Sequence, residues 1–235
     1  MLKTDIKSVN TYQKDDNLII ITDKNNISWA ESLLDSNNIN LLQNAIRIDA
    51  PYLMLSNKGA WILIEFSPEK GDEHMRREMM RRNAGNRIVQ LRNIKIAAAT
   101  LLNHAAENLS AEYVEGLVLG NYRFIKYFKQ AEKQASSFKS LAVIDSAVPT
   151  SELATLTDVL TGVCIVRDLV NEPHSYLNAV QLAKDIDALG KIAGFSTETF
   201  DKAKIEALGM GGLLSVNMGS IVPPTFNIME WKPAN

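Results

Sequence analysis

Apolar residues along this chain recur in two alternating rhythms. Asn17-Leu-Ile-Ile-Ile-Thr22 is a β-branched run between polar clusters and predicts a buried strand, as does Trp61-Ile-Leu-Ile-Glu-Phe66 ahead of Pro68 and Gly71. Leu141-Ala-Val-Ile-Asp145 predicts a third. Between them, Ser28 is a candidate N-cap for a short helix over 29–34, after which the Asp35-Ser-Asn-Asn38 cluster breaks the pattern. A helix is predicted from Glu73 to Leu91, weakened near Gly85. The run from Ile94 to Leu102 reads as strand or helix, with propensity favouring helix. Ser110 is expected to cap a helix through Leu119 with Glu112 in its first turn, and a further helix is expected over 123–134.

Thr150 or Ser151 opens a long helix that reaches about Val170 and stops before Pro173. From Asn178 to Ala193, Val180, Leu182, Ala183, Ile186 and Leu189 trace one helical face. The segment 195–200 alternates like a strand, 202–208 predicts a short helix, and 225–231 alternates again. Strands interleaved with helices predict an α/β fold on a mainly parallel or mixed sheet. Pro149 marks the expected domain boundary, dividing 1–150 from 151–235. A strand at 225–231 followed only by Lys232-Pro-Ala-Asn235 is expected to leave an unpaired edge and an unfinished core.

Composition changes little: 46% hydrophobic and 22% charged residues suit a globular chain with a real core, and 235 residues allow one large domain or one domain and part of another. The net charge of -2 provides no general attraction to nucleic acid or to anionic membrane. The polar segment 1–16 does not read as a signal peptide, and no stretch approaches the ~20 apolar residues of a membrane span, so a cytoplasmic protein is expected. Cys164 is the only cysteine, which excludes an internal disulfide or thiolate-built zinc site; its apolar neighbours predict a packed side chain.

Candidate chemistry is sparse. His74, His104 and His174 share no metal-binding spacing. No phosphate loop, dinucleotide fingerprint or nucleophile elbow occurs, which disfavours a nucleotide-binding domain or serine hydrolase; Gly209-Met-Gly-Gly212 suits a helix C-cap. The strongest charge feature is Arg76, Arg77, Arg81, Arg82, Arg87, Arg92 and Lys95, on and just beyond the predicted 73–91 helix, against only Glu78 within the same span. Such a face could meet phosphate, but no aromatics interleave for base stacking, so a solvated face or one bridged to an acidic surface in an oligomer is the preferred reading.

Three segments together resemble the cytosolic, two-metal leucine aminopeptidases. They are Val114-Glu-Gly-Leu-Val-Leu-Gly-Asn-Tyr-Arg-Phe-Ile-Lys-Tyr127, Val166-Arg-Asp-Leu-Val-Asn-Glu-Pro173, and Leu208-Gly-Met-Gly-Gly-Leu-Leu-Ser-Val-Asn-Met-Gly-Ser220 followed by Pro223-Pro224. The resemblance covers the chain from about Glu115 to Trp231 and favours a strand within 94–102. It implies an N-terminal, macro-domain-like α/β domain with a mixed central sheet and no catalytic residue, followed by the opening of an α/β peptidase domain. It further implies a homo-oligomer, usually a hexamer, that removes N-terminal residues from peptides. Two divalent ions, zinc or manganese, bound by a lysine and carboxylates, would activate water in the complete enzyme. In some bacterial relatives the N-terminal domain also contacts DNA, which keeps the 76–95 face in view.

The family's ligand-bearing segments, G-K-G-x-x-[FY]-D-[ST]-G-G and N-T-D-A-E-G-R, occur nowhere in this sequence. No catalytic, cofactor-binding or metal-binding residue is therefore assigned, no cofactor is expected in this chain, and the chain alone is expected to be inactive. Arg167, Asp168, Asn171 and Pro173 match the family motif and are read as organising the entry to the second domain. The alternative function is a standalone scaffold or nucleic-acid-contacting module.

Overall fold

The structure, a computed structural model, describes residues 4–144 and 146–233. Residues 1–3, Asp145 of the expected 141–145 strand, and the terminal Ala234 and Asn235 lie outside the described residues. The chain divides into two compact units, Met1–Arg167 and Asp168–Asn235.

The first unit runs β1 (Asp5–Val9), β2 (Leu18–Thr22), α1 (Ala30–Leu33), α2 (Ser36–Arg47), β3 (Tyr52–Asn57), β4 (Ala60–Phe66), α3 (Glu73–Asn93), β5 (Ala98–Asn103), α4 (Ser110–Asn121), α5 (Ala131–Gln134) and β6 (Ser140–Ile144). The helix α6 (Thr150–Asn171) follows and crosses the division between units. Six strands form one mixed sheet in the order β1-β6-β5-β2-β4-β3; every neighbouring pair is parallel except β3 with β4. The expected α/β class and the three apolar strands, as β2, β4 and β6, are therefore present.

β2 lies at the centre and explains why its sequence does not alternate: all five residues are buried because both sheet faces are covered. Ile19 and Ile21 join Leu63, Leu101 and Leu141 beneath α3 and α4, whereas Leu18 and Ile20 join Ile62 and Ile64 beneath α1 and α2. Burying one such side chain contributes ~1.5–3 kcal/mol. Asn17 stitches the strand entrances together, its amide donating to the Ala98 carbonyl and its oxygen accepting from the Trp61 N–H.

Several local expectations change. Ser28 does not cap α1, and the hydroxyl instead approaches the Asn26 side chain. Asp35 does not end the pattern. It opens α2, accepting from the Asn38 N–H at 2.8 Å, and Leu42 and Ala45 then face the core. Ser110 is the first residue of α4 rather than its cap; the Asn108 oxygen accepts from the Ser110 N–H, while the Ser110 hydroxyl is buried with no hydrogen-bond partner. Over 123–134 only Ala131–Gln134 is helical, so the longer helix expected there is absent. The 94–102 run resolves as a strand from Ala98, because α3 closes first: Lys95 adopts φ 58° and the Ile96 N–H reaches back to the Leu91 carbonyl.

Two strands not anticipated from sequence, β1 and β3, form the sheet edges. β3 turns into β4 through Lys58 and Gly59, both at positive φ, the signature of a type I′ hairpin. Nor does Gly85 interrupt α3. It is the crossing point with α4, where a side chain at Gly120 would stand 2.8 Å from the Gly85 Cα.

The second unit holds α7 (Ala179–Ala193), β7 (Ser196–Phe200), α8 (Lys202–Ala207), α9 (Gly211–Asn217) and β8 (Phe226–Glu230). Asn178 caps α7 through the Gln181 N–H, and Gly194 ends it at φ 83°. Gly209, at φ 65°, closes α8 as its C-cap position predicts, with the Met210 N–H donating to the Ile205 carbonyl. β7 and β8 pair antiparallel as a separate two-stranded sheet.

Candidate functional site

The basic helix is the first place to look, because its charge is the strongest feature of the sequence. α3 begins at the Asp72 cap, and Arg77 and Arg81, about one turn apart, reach α4, with Arg76 reaching the loop before it. There they meet carboxylates of the same unit. Arg76 pairs with Glu107 at 2.7 Å, Arg77 with Glu112, and Arg81 with Glu115 at 2.5 Å. Arg82 pairs along its own helix with Glu78, and Arg77 also with Glu73. Arg87 turns inward to the fully buried Glu65 on β4 and stacks over Tyr52. Lys95 closes the helix. Part of the basic face is therefore bridged within the chain, to α4 and its preceding loop, whereas Arg82, 76% exposed beside Glu78, keeps the expected solvated character. Glu112 and Glu115, three apart on α4, oppose Arg77 and Arg81, four apart on α3.

Charge states follow from these contacts. The Glu107 hydrogen bond raises the Arg76 pKa, and those from Glu112 and Glu73 raise that of Arg77. Burial pushes the Glu65 carboxyl up to about 7 against the lowering pull of Arg87. Burial, with nearby Arg123 as a lesser cause, lowers the Arg92 pKa.

Residues of the first two family-like segments make packing and hydrogen-bond contacts in the first unit. In 114–127, Gly116 and Gly120 allow the α4 backbone to lie directly on α3; a side chain at Gly116 would run into the Arg81 carbonyl. Arg167, from the second segment, donates to the Leu119 carbonyl at 2.8 Å and lies over the Tyr122 ring. It sits at the C-terminal end of α4, where a cation suits the helix dipole. Cys164 is buried, as its neighbours suggested.

The histidines occupy three separate settings. His74 is exposed in the first turn of α3, and His174 is exposed in the loop after α6. His104 follows β5, stacks on Trp29 at 5.5 Å and has its pKa lowered by burial. Among the described residues no three His, Cys, Asp or Glu side chains gather where they could hold a metal ion. Nor is any helix of the described residues long and apolar enough to cross a membrane.

The second unit contains a cavity of about 500 Å³ with an apolar floor of Val180, Ala183, Pro223 and Pro224. Its rim carboxylates are committed. Hydrogen bonds from Lys191 and then Thr197 lower the Asp187 pKa, while Asp201 caps α8 through the Lys204 N–H. This geometry can seat an apolar side chain; it offers no paired acid and base.

Residues 164–235 match the cytosol aminopeptidase family, catalytic domain. The chain is 38% identical over 152 residues to a probable cytosol aminopeptidase of Chloroherpeton thalassium, an overlap covering 58% of this chain and 30% of that protein. A tomato leucine aminopeptidase mutant shares the fold with a TM-score of 0.72 at 17% identity, covering 96% of this chain and 50% of that one. The bottromycin maturation enzyme BotP in complex with Mn gives a TM-score of 0.67 at 18% identity, covering 93% and 46%. The chain thus spans about 30% of the curated relative and about half of these solved chains.

Proposed function

We propose, from the match of residues 164–235 to the cytosol aminopeptidase family and the similarity to its curated relatives, that this chain is the N-terminal portion of a metal-dependent leucine aminopeptidase and does not hydrolyse peptides by itself. The observation that carries this reading is the family match over 164–235, beside a donor set that, among the described residues, does not fit a two-metal centre. A pair of divalent ions needs several convergent oxygen or nitrogen ligands. Here the three histidines stand apart, and the acids nearest the second-unit cavity are held by Lys191, Thr197 and the α8 N-terminus.

In this reading residues 1–150 are the non-catalytic domain, and 151–235 are the linker helix and the start of the peptidase domain. The chain's own contribution is architectural: the α3–α4 ladder stiffens the first domain and Arg167 anchors the linker helix to it. The complete protein would act on peptide N-termini in the cytoplasm as a homo-oligomer, with zinc or manganese. The alternative of a nucleic-acid-contacting module has less support, because five of the seven cations on which it rested, Arg76, Arg77, Arg81, Arg82 and Arg87, are paired with carboxylates of the same chain.

A leucine chromogenic assay of the 235-residue chain with added manganese tests the reading. No turnover above the protein-free blank is expected. Turnover comparable to that of an intact family enzyme would refute it.

A further inference from the structure

Adjacent parallel strands whose outgoing connections pass to opposite faces of an open α/β sheet leave a crevice beyond their carboxyl ends, the usual seat of a ligand in such sheets. β2 makes two of these crevices. The chain leaves β2 for α1 and α2 on one face, whereas β4 and β5, on either side of it, lead to α3 and α4 on the other. The crevice between β2 and β5 is filled: Trp29 stacks on His104, the Asn26 amide donates to the His104 carbonyl, and Asp23 accepts from the Ala106 N–H. The one between β2 and β4 is open. A cavity of about 230 Å³ lies there, lined by Lys24 beyond β2 and by Phe66 and Ser67 at the end of β4. The Ser67 N–H donates to the Thr22 carbonyl at 2.9 Å and fixes the two strand ends against each other.

The lining brings together three kinds of chemistry. Pro51, Phe66 and Met79 give the cavity an apolar wall. Lys24 and Lys70 bring two cations to it, and Asp49 and Glu69 two carboxylates. Lys24 is the fixed half of its pair with Asp49: its side chain is 20% exposed and lies 5.8 Å over the Phe66 ring, whereas Asp49 is 85% exposed and engages Lys24 through Oδ1. A carboxylate has acceptor capacity beyond one such contact. Ser67 carries a hydroxyl that is shielded from water and has no hydrogen-bond partner among the described residues, an arrangement that a ligand acceptor would relieve. Two charges of each sign beside an apolar wall complement a zwitterion with an apolar side chain. A plain anion would meet Asp49 and Glu69 as like charges. The volume also lies below the ~300–1,000 Å³ of drug-sized sites and so suits a molecule no larger than an amino acid.

We propose that the crevice between β2 and β4 binds a free α-amino acid with an apolar side chain. Lys70 and the Ser67 hydroxyl hold its carboxylate, Asp49 and Glu69 its ammonium, and Phe66 and Met79 its side chain. The first unit is then a sensor of free amino acid as well as a scaffold. The site stands on its own geometry; only the choice of leucine among the apolar amino acids rests on the proposed function.

Titration of the full 235-residue chain with L-leucine, read by amide NMR shifts and hydrogen exchange, tests the site. One molecule per chain is expected to bind with a Kd on the order of 1 mM, as suits so small a ligand. Exchange should slow at Ser67, Glu69 and Lys70. Leucinamide lacks the carboxylate and N-acetyl-leucine lacks the ammonium; each should bind at least tenfold more weakly, the effect of losing a charge-assisted hydrogen bond. Ser67→Ala with Lys70→Ala should weaken leucine binding by a similar factor and leave the chain folded, since neither side chain belongs to the apolar core. Absence of saturable leucine binding, equal binding of the three compounds, unaltered affinity in the variant, or shifts confined to the second unit would overturn the proposal. No turnover enters these measurements. Leucine binding by a chain that proved to hydrolyse peptides would therefore keep the site and refute the proposed function, and an inert chain that binds no leucine would do the reverse.

Discussion

The carbonyl oxygen of Arg81 fills the space that a side-chain carbon at Gly116 would need, so α3 and α4 touch backbone to backbone at this crossing. The same close approach brings Arg77 and Arg81 within reach of Glu112 and Glu115. Helix spacing and charge neutralisation are therefore one feature. Gly116→Ala should destabilise the first unit by about 1–3 kcal/mol, since two helix backbones must separate. Gly162→Ala, in α6 with nothing within 4 Å, should instead stabilise by about 0.5–1 kcal/mol. Urea midpoints for the two variants check this; shifts of the same sign would count against it.

Removing the acids should uncover the basic helix. The chain with Glu107, Glu112 and Glu115 changed to Gln is expected to elute from heparin at higher salt than the natural chain. The natural chain should show no DNA binding that survives near-physiological salt. Identical elution would mean that these carboxylates do not neutralise the face.

The buried Glu65 carboxyl gives stability a pH dependence with a definite sign. Its folded pKa of about 7 lies above the ordinary carboxyl value of 4.5. Folding therefore retains a proton that the unfolded chain has already lost. The contribution is full below the unfolded value and is lost as pH rises from about 4.5 through 7. Glu65→Gln should flatten that decline, even though it leaves Arg87 without its carboxylate. Parallel stability curves for the two proteins between pH 5 and pH 8 would contradict the assignment.

Arg167→Lys should loosen the attachment of α6 to α4, because an ammonium cannot both stack on Tyr122 and reproduce the planar donor to Leu119. A loss of about 1 kcal/mol is expected, with faster amide exchange confined to the last turn of α4. Unchanged exchange there would show that the contact is incidental.

The sequence revealed most of what depends on apolar runs. β2, β4 and β6 are β-branched or aliphatic because helices cover both faces of the sheet, and that burial leaves a continuous hydrophobic string. α2 escaped notice because four of its first nine residues are asparagine, a poor helix former; only the Asp35 cap and the spacing of Ile39, Leu42 and Ile46 betray it. β1 and β3 are edge strands, so their pairing depends on distant partners rather than on local pattern. Cap assignments at Ser28 and Ser110 failed because residue type permits a cap without choosing among neighbouring candidates. The Arg–Glu ladder was half visible: its cations stood out as a block, whereas its anions lay about 31–35 residues away. The three family-like segments were informative for a physical reason seen best at Gly116 and Gly120, where no other residue fits.

The first strand finds its neighbour very late. β1 pairs with β6 alone, Asp5 opposite Ser140, a separation of 140 − 5 = 135 residues. At roughly 5–20 residues per second of synthesis, β1 waits on the order of 7–27 s after leaving the ribosome before its partner exists. Meanwhile β2, β4 and β5 can already assemble, so the amino terminus closes a nearly finished sheet. An arrest-peptide force profile should show its final folding pulse only once residue 144 has cleared the exit tunnel; a final pulse before that point would reverse the order of assembly.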